Sequence, residues 1–284
     1  MSMKNKLYSL LLISIMVLGF TACSDDDPSG ETIFPVDGTE NRDALDTWLL
    51  KNYTYPYNVD FQYKWKYIET DNKKTLVPAD SAKSAKLAII VKYLWFDAYN
   101  EVIGQDFLKA NSPRQIVLIG SPGYENNGTM VLGTAEGGYK VTLYMVNSLT
   151  DANLHNYDLL EQYYFTTLHH EFTHILNQKI PYDSEFDKIS TGDYVSVNWY
   201  QVPEAEALSK GFIRNYAMVE PREDFAETMA QYITNSDATW ESKLTRAGAS
   251  GRAFIEKKLD YIKQHRAVQH RGQELDKLDL EHLN

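Results

Sequence analysis

The segment from Tyr157 to Lys179 contains neither glycine nor proline, and its apolar residues recur at helical spacing. It therefore predicts one long amphipathic helix. His170, Glu171 and His174 lie within this segment in the pattern HExxH. Residues four apart share one face of a helix, so both imidazoles can reach a single metal ion. Glu171 can then reach a water molecule at that ion.

HExxH on a helix is the zincin pattern, in which two histidines hold Zn²⁺ and the glutamate is the general base of a metalloprotease. The opposite face carries apolar side chains that predict packing: Leu168, Phe172, Ile175 and Leu176. His169 lies outside the i,i+4 pair, and we expect it to be a structural residue or one that supports a ligand, rather than a ligand itself. The competing interpretation is an accidental pattern of two histidines at the edge of the core, which is uncommon in a chain with 7 His among 284 residues.

The N-terminus has the features of a secretory signal. Lys4 and Lys6 precede an apolar run, Leu7 to Phe20, that is too short to span a membrane as a mature helix. Ala22 and then Cys23 follow, which resembles a bacterial lipoprotein signal whose cysteine is lipidated. We expect residues 1–22 to be a lipoprotein signal peptide and Cys23 to be the lipidation site. An ordinary signal peptide with an incidental cysteine is the alternative.

Residues 23–40 are mostly polar, with proline and glycine, and predict a flexible tether. The acidic run Ser24 to Asp27 resembles the signal that sends lipoproteins of Bacteroidota to the outer cell surface. In purely physical terms it is a solvated acidic linker. These features together favour an outer-membrane lipoprotein, exposed at the cell surface and attached to the membrane through Cys23.

Composition limits the possible partners and cross-links. The chain has a single cysteine, which excludes an internal disulfide. Its formal net charge of −11 argues against nucleic acid or anionic lipid as the main partner. Residues 41–284 are expected to form the folded domain, with an N-terminal α/β part over about 41–179 and a C-terminal helical part over about 180–284.

The N-terminal part shows both helical and strand patterns. Asn41 can cap a helix from Arg42 to Asn52. Strict alternation from Val59 to Tyr67 predicts a strand with one buried face. A carbohydrate-binding platform is the other use for this aromatic stripe. A longer helix is expected from Asp80 and Ser81 to about Ile103, ended by Gly104.

The remaining patterns complete the predicted fold class. Gln115 to Ile119 indicates a buried strand, while Met130 to Leu132 and Tyr139 to Val146 flank two glycines and predict a hairpin. After Val146 the pattern is helical, ending in a helix from about Arg252 with Ile255, Leu259 and Ile262 on one face. The expectation is an α+β fold, with a small mixed sheet and an active-site helix followed by a mostly helical part.

Two histidines and a water leave a catalytic zinc ion one protein ligand short. The metzincin solution needs Gly and His where this chain has Asn177 and Ile180, so it is excluded. Glu223 and Glu227 share one face of a helix predicted from Pro221 to about Thr234. One of them can bind zinc while the other accepts a hydrogen bond from a ligand histidine. A solvated acidic face is the alternative.

An HExxH helix followed by a helix with ExxxE resembles the gluzincins, particularly the proteins like anthrax lethal factor. That resemblance implies that Glu223 is the third ligand and that Glu227 supports a ligand histidine. It also implies that Tyr216, seven residues before Glu223, donates to the tetrahedral intermediate. In gluzincins the peptide pairs with an edge strand just before the active-site helix, a place that Tyr139 to Val146 would take here.

A further resemblance covers nearly the whole chain after the signal. The run from Leu45 to Val59, the segment LHHEFTHILNQ and the segment PREDFAE are similar to the zinc-binding metallopeptidase lipoproteins of Bacteroidota. Genes of this family often lie beside outer-membrane nutrient-uptake systems. The resemblance implies a peptide or protein substrate, and it makes uptake proteins candidate partners.

Two functions are compatible with these patterns. The first is a zinc-dependent endopeptidase, with His170, His174 and Glu223 as metal ligands, Glu171 as the general base and Tyr216 as the oxyanion donor. The second is a surface lipoprotein that binds a glycan or peptide and holds zinc without catalysis. The intact Glu171 favours the enzyme, because a structural zinc site normally has four protein ligands and needs no base.

Overall fold

In the described residues, six short strands form two sheets in the N-terminal part of the chain. The computed structural model describes residues 42–131, 133–136 and 139–265. Its strands are β1 (Asp60–Gln62), β2 (Gln115–Leu118), β3 (Gly123–Tyr124), β4 (Met130–Val131), β5 (Gly133–Glu136) and β6 (Lys140–Leu143). The larger sheet has the order β1-β2-β6-β5, and β3 and β4 form a separate pair.

The larger sheet is mixed, as the sequence predicts. β1, β2 and β6 are parallel, with Ile116 opposite Val141 in the register of β2 and β6. β5 runs antiparallel to β6 and lies at the edge of the sheet. Every residue of β6 is buried, and so are the apolar residues of β2. This is the pattern expected of central strands covered on both faces.

Helices before and between β1 and β2 cover the sheet, as parallel pairing requires a crossover. They are α1 (Ala44–Leu49), α2 (Tyr55–Tyr57), α3 (Ser81–Val91), α4 (Ala98–Val102) and α5 (Gln105–Asn111). π-helical turns join α1 to α2 and α3 to α4. The Asp80 side chain accepts a hydrogen bond from the backbone N–H of Lys83, capping α3 as expected. Gly104, at φ +97°, ends the helical run where the sequence predicts.

The rest of the described chain is mainly helical. Its helices are α6 (Tyr157–Leu160), α7 (Thr166–Lys179), α8 (Glu204–Ser209), α9 (Pro221–Thr234) and α10 (Asp237–His265). A π-helical turn, Glu161–Phe165, joins α6 to α7, so the helix predicted over 157–179 is confirmed. α9 has the predicted bounds and begins with proline at its first position.

Close packing of these helices brings the second half of the chain together. α9 packs along α7, and α10 packs against α8 and α9. A Cβ at Gly251 would lie 2.2 Å from the carbonyl oxygen of Leu208, so only glycine allows α10 to approach α8 this closely. Ile255, Leu259 and Ile262 of α10 are buried, as predicted. The helix itself begins earlier than the predicted Arg252 and breaks at Gly248.

The strand predicted over Val59 to Tyr67 is wrong in its length. Val59, Phe61 and Tyr63 are buried as the alternation indicates, and their packing excludes them from a carbohydrate platform. The paired segment nevertheless ends at Gln62, and Tyr67 is 76% exposed at the start of a 3₁₀ turn. Alternation reports which side chains face the core but not whether a partner strand continues beside them.

The predicted hairpin is correct in its second strand and wrong in its first. β6 pairs with β5, whereas Met130 and Val131 pair with Tyr124 and Gly123 in the smaller sheet. The expectation that Tyr139 to Val146 is an edge strand is also wrong. β6 lies between β2 and β5, so both of its edges are already paired. β5 is the edge strand next to the active-site helix.

Helical structure after Val146 is less continuous than predicted. Between α7 and α8 the chain forms turns and two 3₁₀ helices, Phe186–Lys188 and Ser196–Gln201. Tyr232 has helical spacing with the buried Phe225 and Met229 of α9, yet it is 36% exposed and contacts Trp240 at its ring edge. Local periodicity cannot predict these departures, because they depend on which neighbouring helix covers each face.

Within the described part of the chain, residues 44–265 group as one compact unit. The predicted signal peptide, the tether and the capping Asn41 lie outside the described residues and stay predictions. The predicted division of the domain near residue 179 also stays a prediction. Among the described helices, none combines the length and hydropathy that crossing a bilayer requires.

Candidate active site

His170 and His174 extend from one face of α7 toward α9. Their Nε2 atoms lie 3.0 Å apart, because residues at i and i+4 stack along a helix. His170 is buried and His174 is partly buried. The apolar face of the same helix, including Phe172 and Ile175, is buried against the main core. This packing fixes the rotation of α7 that directs both imidazoles into the site.

Glu223, in the first turn of α9, contacts both imidazoles. Its Oε2 lies 3.1 Å from Nε2 of His170, and its Oε1 lies 3.3 Å from Nε2 of His174. The three side chains offer ligand atoms that all lie within 4.8 Å of one another. The structure thus brings together the two histidines and the glutamate that the sequence predicts as metal ligands.

These distances fit a tetrahedral metal ion. With zinc–ligand bonds of about 2.0–2.1 Å, neighbouring ligand atoms in such a site lie about 3.3 Å apart. Oε2 of Glu223 is also buried and faces Nε2 of His170, so the negative charge of this carboxylate is directed toward the imidazoles. Two nitrogens and one carboxylate oxygen form a donor set that zinc accepts, with one position left for water or substrate.

Glu227 lies one helical turn beyond Glu223 and contacts the ring nitrogen of His170 that faces away from Glu223. Its Oε1 lies 2.9 Å from Nδ1 of His170, on the opposite side of the ring from the candidate metal position. Its Oε2 lies 3.2 Å from Nε of Arg214. Burial raises the pKa of Glu227, but Arg214 and His170 outweigh this effect and hold it below its ordinary value. Glu227 is therefore positioned to orient the ring of His170.

Burial lowers the pKa of His170, but hydrogen bonds to Glu223 and Glu227 outweigh it and raise the value to about 10. Burial likewise raises the pKa of Glu223, yet the two imidazoles hold it well below its usual range. The histidine pair and the two carboxylates thus attract one another strongly without a metal. Zinc would take the place of the proton that this arrangement favours.

Glu171 and Tyr216 border one cavity beside the histidine pair. Glu171, partly buried, borders the cavities on both sides of the histidine pair. Burial is the main cause that raises its pKa, which suits a group that accepts a proton near neutral pH. The ring of Tyr216 lies 5.9 Å from that of His170, and burial and the nearby Glu223 raise the pKa of its hydroxyl. Tyr216 therefore stays protonated and can donate.

Two contacts at this site have no signal in the sequence. The ring of Trp199 meets that of Tyr216 edge to face at 4.9 Å, and Arg214 binds Glu227. Neither residue belongs to a spaced motif, so only the fold brings them to the site. His169 is not part of the metal cluster. It is buried, and its Nδ1 lies 3.1 Å from the hydroxyl of Tyr99, which supports the structural role expected for it.

Two cavities meet at Glu171. The first, about 630 Å³, lies beside the C-terminal half of α7 and is bordered by His174, Tyr182 and Arg222. The second, about 390 Å³, lies beside its N-terminal half and is bordered by Trp199, Arg214 and Tyr216. We call them the C-terminal cavity and the N-terminal cavity. A chain laid across both would pass directly over the histidine pair.

Two histidines and a glutamate around one point, with a free glutamate between two cavities, define a metallopeptidase-type zinc site. Residues 38–269 match the family described as "Putative zinc-binding metallo-peptidase". The chain belongs to this family.

A solved relative supports the same assignment. The chain is similar to a crystal structure of a "putative zinc-binding metallo-peptidase" from Bacteroides caccae, with 44% sequence identity and a TM-score of 0.72. The match covers 84% of this chain and 95% of the relative. No curated protein matches the chain at a significant level.

Proposed function

We propose that the protein is a zinc-dependent endopeptidase of the gluzincin type, with a zincin-like catalytic domain. The observation that carries the proposal is the arrangement of His170, His174 and Glu223 around one point, with Glu171 beside it and unused as a ligand. The open cavities on both sides of Glu171 support cleavage within a chain rather than at its end.

His170, His174 and Glu223 would hold the metal, while Glu227 keeps the ring of His170 in place. When bound there, zinc supplies polarisation of the scissile carbonyl and a lowered pKa for the attacking water. Glu171 takes the proton of that water and delivers it to the leaving amine. Burial raises the pKa of Glu171, which makes its carboxylate a stronger base than an ordinary glutamate.

The hydroxyl of Tyr216 donates to the carbonyl oxygen as negative charge develops there. Trp199 packs against its ring and limits its rotation. The substrate reaches these groups along the two cavities. β5, at the edge of the sheet and close to α7, is a strand with which an extended peptide can pair. The pairing strand proposed here is therefore β5 and not β6.

The location of the enzyme is a separate part of the proposal. The sequence features of residues 1–22 and Cys23 support a lipid anchor at the outer membrane, and residues 23–40 would hold the domain away from the surface. Surface exposure and association with nutrient-uptake proteins are proposed on the resemblance of the sequence alone.

A peptide-library screen with zinc-loaded protein tests the enzymatic proposal. We expect cleavage products with wild type, their loss with a chelator, and recovery on adding zinc. Glu171→Gln should reduce the cleavage rate by about 10²–10⁴-fold, because the amide cannot accept the water's proton. The zinc content of this variant should equal that of wild type.

Two outcomes would contradict the proposal. Full peptidase activity in zinc-loaded Glu171→Gln would remove Glu171 as the base. Binding of peptides or glycans without any chelator-sensitive cleavage would favour the alternative function, a binding lipoprotein with non-catalytic zinc.

A further inference from the structure

A third cavity continues the two that meet at the candidate zinc site. It has a volume of about 510 Å³ and lies among α6, α9 and the first half of α10. Gln162, Thr166 and Arg214 border both this distal cavity and the N-terminal cavity, so the two adjoin. The C-terminal, N-terminal and distal cavities therefore follow one another along the helical run that carries His170 and His174.

The walls of the distal cavity differ from those of the other two. Every residue that borders it carries a polar side-chain group. Its charged residues are the acidic Asp158, Glu161 and Glu204 and the basic Arg214 and Lys243. Glu161, Glu204 and Arg214 are already engaged. Oε1 of Glu161 accepts hydrogen bonds from the hydroxyls of Thr166 and Thr234 at 2.6 and 3.0 Å. Arg214 binds Glu227, and Glu204 binds Arg246 at 3.3 Å.

Lys243 is the exception among the cations of this cavity. It lies on α10, is partly buried, and among the described residues forms no hydrogen bond or ion pair. Burial lowers its pKa, and the nearby carboxylates of Glu204 and Glu161 only partly oppose that effect. An ammonium group that is partly desolvated without a partner gains most from an added carboxylate.

We propose that the distal cavity binds a carboxylate of the peptide substrate, with Lys243 as the residue that recognises it. This inference rests on the proposed peptidase function and extends it to substrate selection. The polar walls do not suit an apolar side chain. Arg214 is already paired with Glu227, so Lys243 is the basic residue of this cavity that is left to bind a carboxylate. Lys243 is thus a specificity-determining residue, remote from the bond that is cleaved.

The spacing of the cavities sets the position of that carboxylate. From Glu171 to Gln162, at the border of the distal cavity, the helix rises by about 13 Å at 1.5 Å per residue. An extended peptide covers this length in about four residues at 3.3 Å each. The recognised carboxylate should therefore lie about four residues from the scissile bond, on one side of it.

Matched peptides test this inference. Starting from a peptide that wild type cleaves, Gln is replaced by Glu at one position at a time on both sides of the bond. We expect one position, about four residues away, at which Glu raises kcat/KM by about tenfold over Gln, the effect of one charge-assisted hydrogen bond. A second arm compares a free C-terminal carboxylate with an amide at the same distance, which separates a side-chain source from a terminal one.

Variants of Lys243 test whether this residue causes the preference for Glu over Gln. Lys243→Met should abolish the preference for Glu, whereas Lys243→Arg should keep it. Lys257→Met is the matched control, because Lys257 lies on the same helix at the exposed surface, and it should behave as wild type. The same differences among the variants are expected in their relative affinities for Glu and Gln peptides. These affinities are measured by fluorescence anisotropy in the zinc-loaded Glu171→Gln background, where cleavage does not interfere.

The results separate this inference from the proposed function. If wild type cleaves peptides but shows no preference for a carboxylate at any such position, the distal site is wrong and the peptidase stands. A preference that survives Lys243→Met would overturn the role of Lys243. If no peptide is cleaved, the peptidase proposal fails, and equal affinity for Glu and Gln peptides in the anisotropy assay would overturn the distal site as well.

Discussion

Each carboxylate oxygen of Glu227 contacts a different basic group, one on His170 and the other on Arg214. A carboxylate behind a ligand histidine fixes the ring and increases its basicity. We expect Glu227→Gln to weaken zinc affinity by about 10–100-fold, because a neutral amide holds the imidazole less strongly. Competition with a fluorescent chelator measures the change.

Glu220→Gln is the matched control for this prediction. Glu220 lies just before α9, is partly exposed, and pairs with Arg222 rather than with a histidine. The zinc affinity of Glu220→Gln should stay at the wild-type value. Equal affinities for wild type and Glu227→Gln would show that Glu227 does not support the metal.

Tyr216 makes a prediction about rate rather than binding. An oxyanion donor acts in the transition state, so its loss lowers kcat with little change in KM. We expect Tyr216→Phe to lower kcat by about 10²–10³-fold, with zinc content unchanged. Tyr200→Phe, at a neighbouring surface position, should have no effect. A change confined to KM would instead make Tyr216 a substrate-binding residue.

The sequence predicts some residues of the site and not others for a physical reason. His170, His174, Glu223 and Glu227 occur as pairs at i,i+4, a spacing that alone places each pair on one helical face. Arg214, Trp199 and Lys243 lie in no repeated pattern. Their positions depend on how the segment after α7 and the helix α10 fold back on the site, which local spacing does not encode.

At the scale of elements, α9 positions Glu223 and Glu227. A buried ion pair holds this helix in place. Nζ of Lys258 on α10 lies 2.7 Å from Oδ2 of Asp224 on α9, and both side chains are fully buried. Lys258 also donates to the carbonyl oxygen of Gly211, and Tyr194 donates to Asp224. Asp224 directly follows Glu223, so this pair fixes the start of α9 beside the site.

Removing one partner of the Lys258–Asp224 ion pair should destabilise the folded protein. Lys258→Met leaves an uncompensated buried carboxylate, and we expect it to lower the free energy of unfolding by about 3–5 kcal/mol. Urea denaturation of the zinc-free protein measures this loss, and Lys257→Met serves as the exposed control. The double variant with Asp224→Asn should recover part of it. A loss below about 1 kcal/mol, the range of a surface pair, would contradict the structural role of Lys258.

Elements were predictable where their pattern was long and their burial simple. The helix over 157–179 and the helix Pro221–Thr234 show periodic apolar residues without interruption, and both have the predicted bounds. Errors occur in the less continuous helical segments after Val146 and above all in the sheet. Tyr67 follows the alternation of a strand yet lies on the surface, and β5 forms the edge that the sequence assigns to Tyr139 to Val146. Strand order depends on contacts distant in sequence, which alternation does not report.

At the scale of the whole molecule, we propose that a lipid anchor at Cys23 attaches the folded domain to the membrane. If Cys23 is lipidated, cells grown with labelled fatty acid should yield labelled wild-type protein in the membrane fraction. Cys23→Ala should be unlabelled and leave that fraction, because acyl chains, rather than any described helix, would provide the attachment. Membrane retention of unlabelled Cys23→Ala would contradict the anchor, while digestion of wild type by protease added to intact cells would support surface exposure.

We propose that two helices distant in sequence, α7 and α9, meet around one zinc ion. α7 supplies two imidazoles and α9 supplies a carboxylate from some fifty residues further along the chain.

Anomalous diffraction at the zinc absorption edge, from crystals of the zinc-loaded protein, tests this claim most directly. We predict one strong peak about 2.0–2.2 Å from Nε2 of His170, Nε2 of His174 and a carboxylate oxygen of Glu223. Zinc bound elsewhere, or no peak between these three side chains, would contradict it.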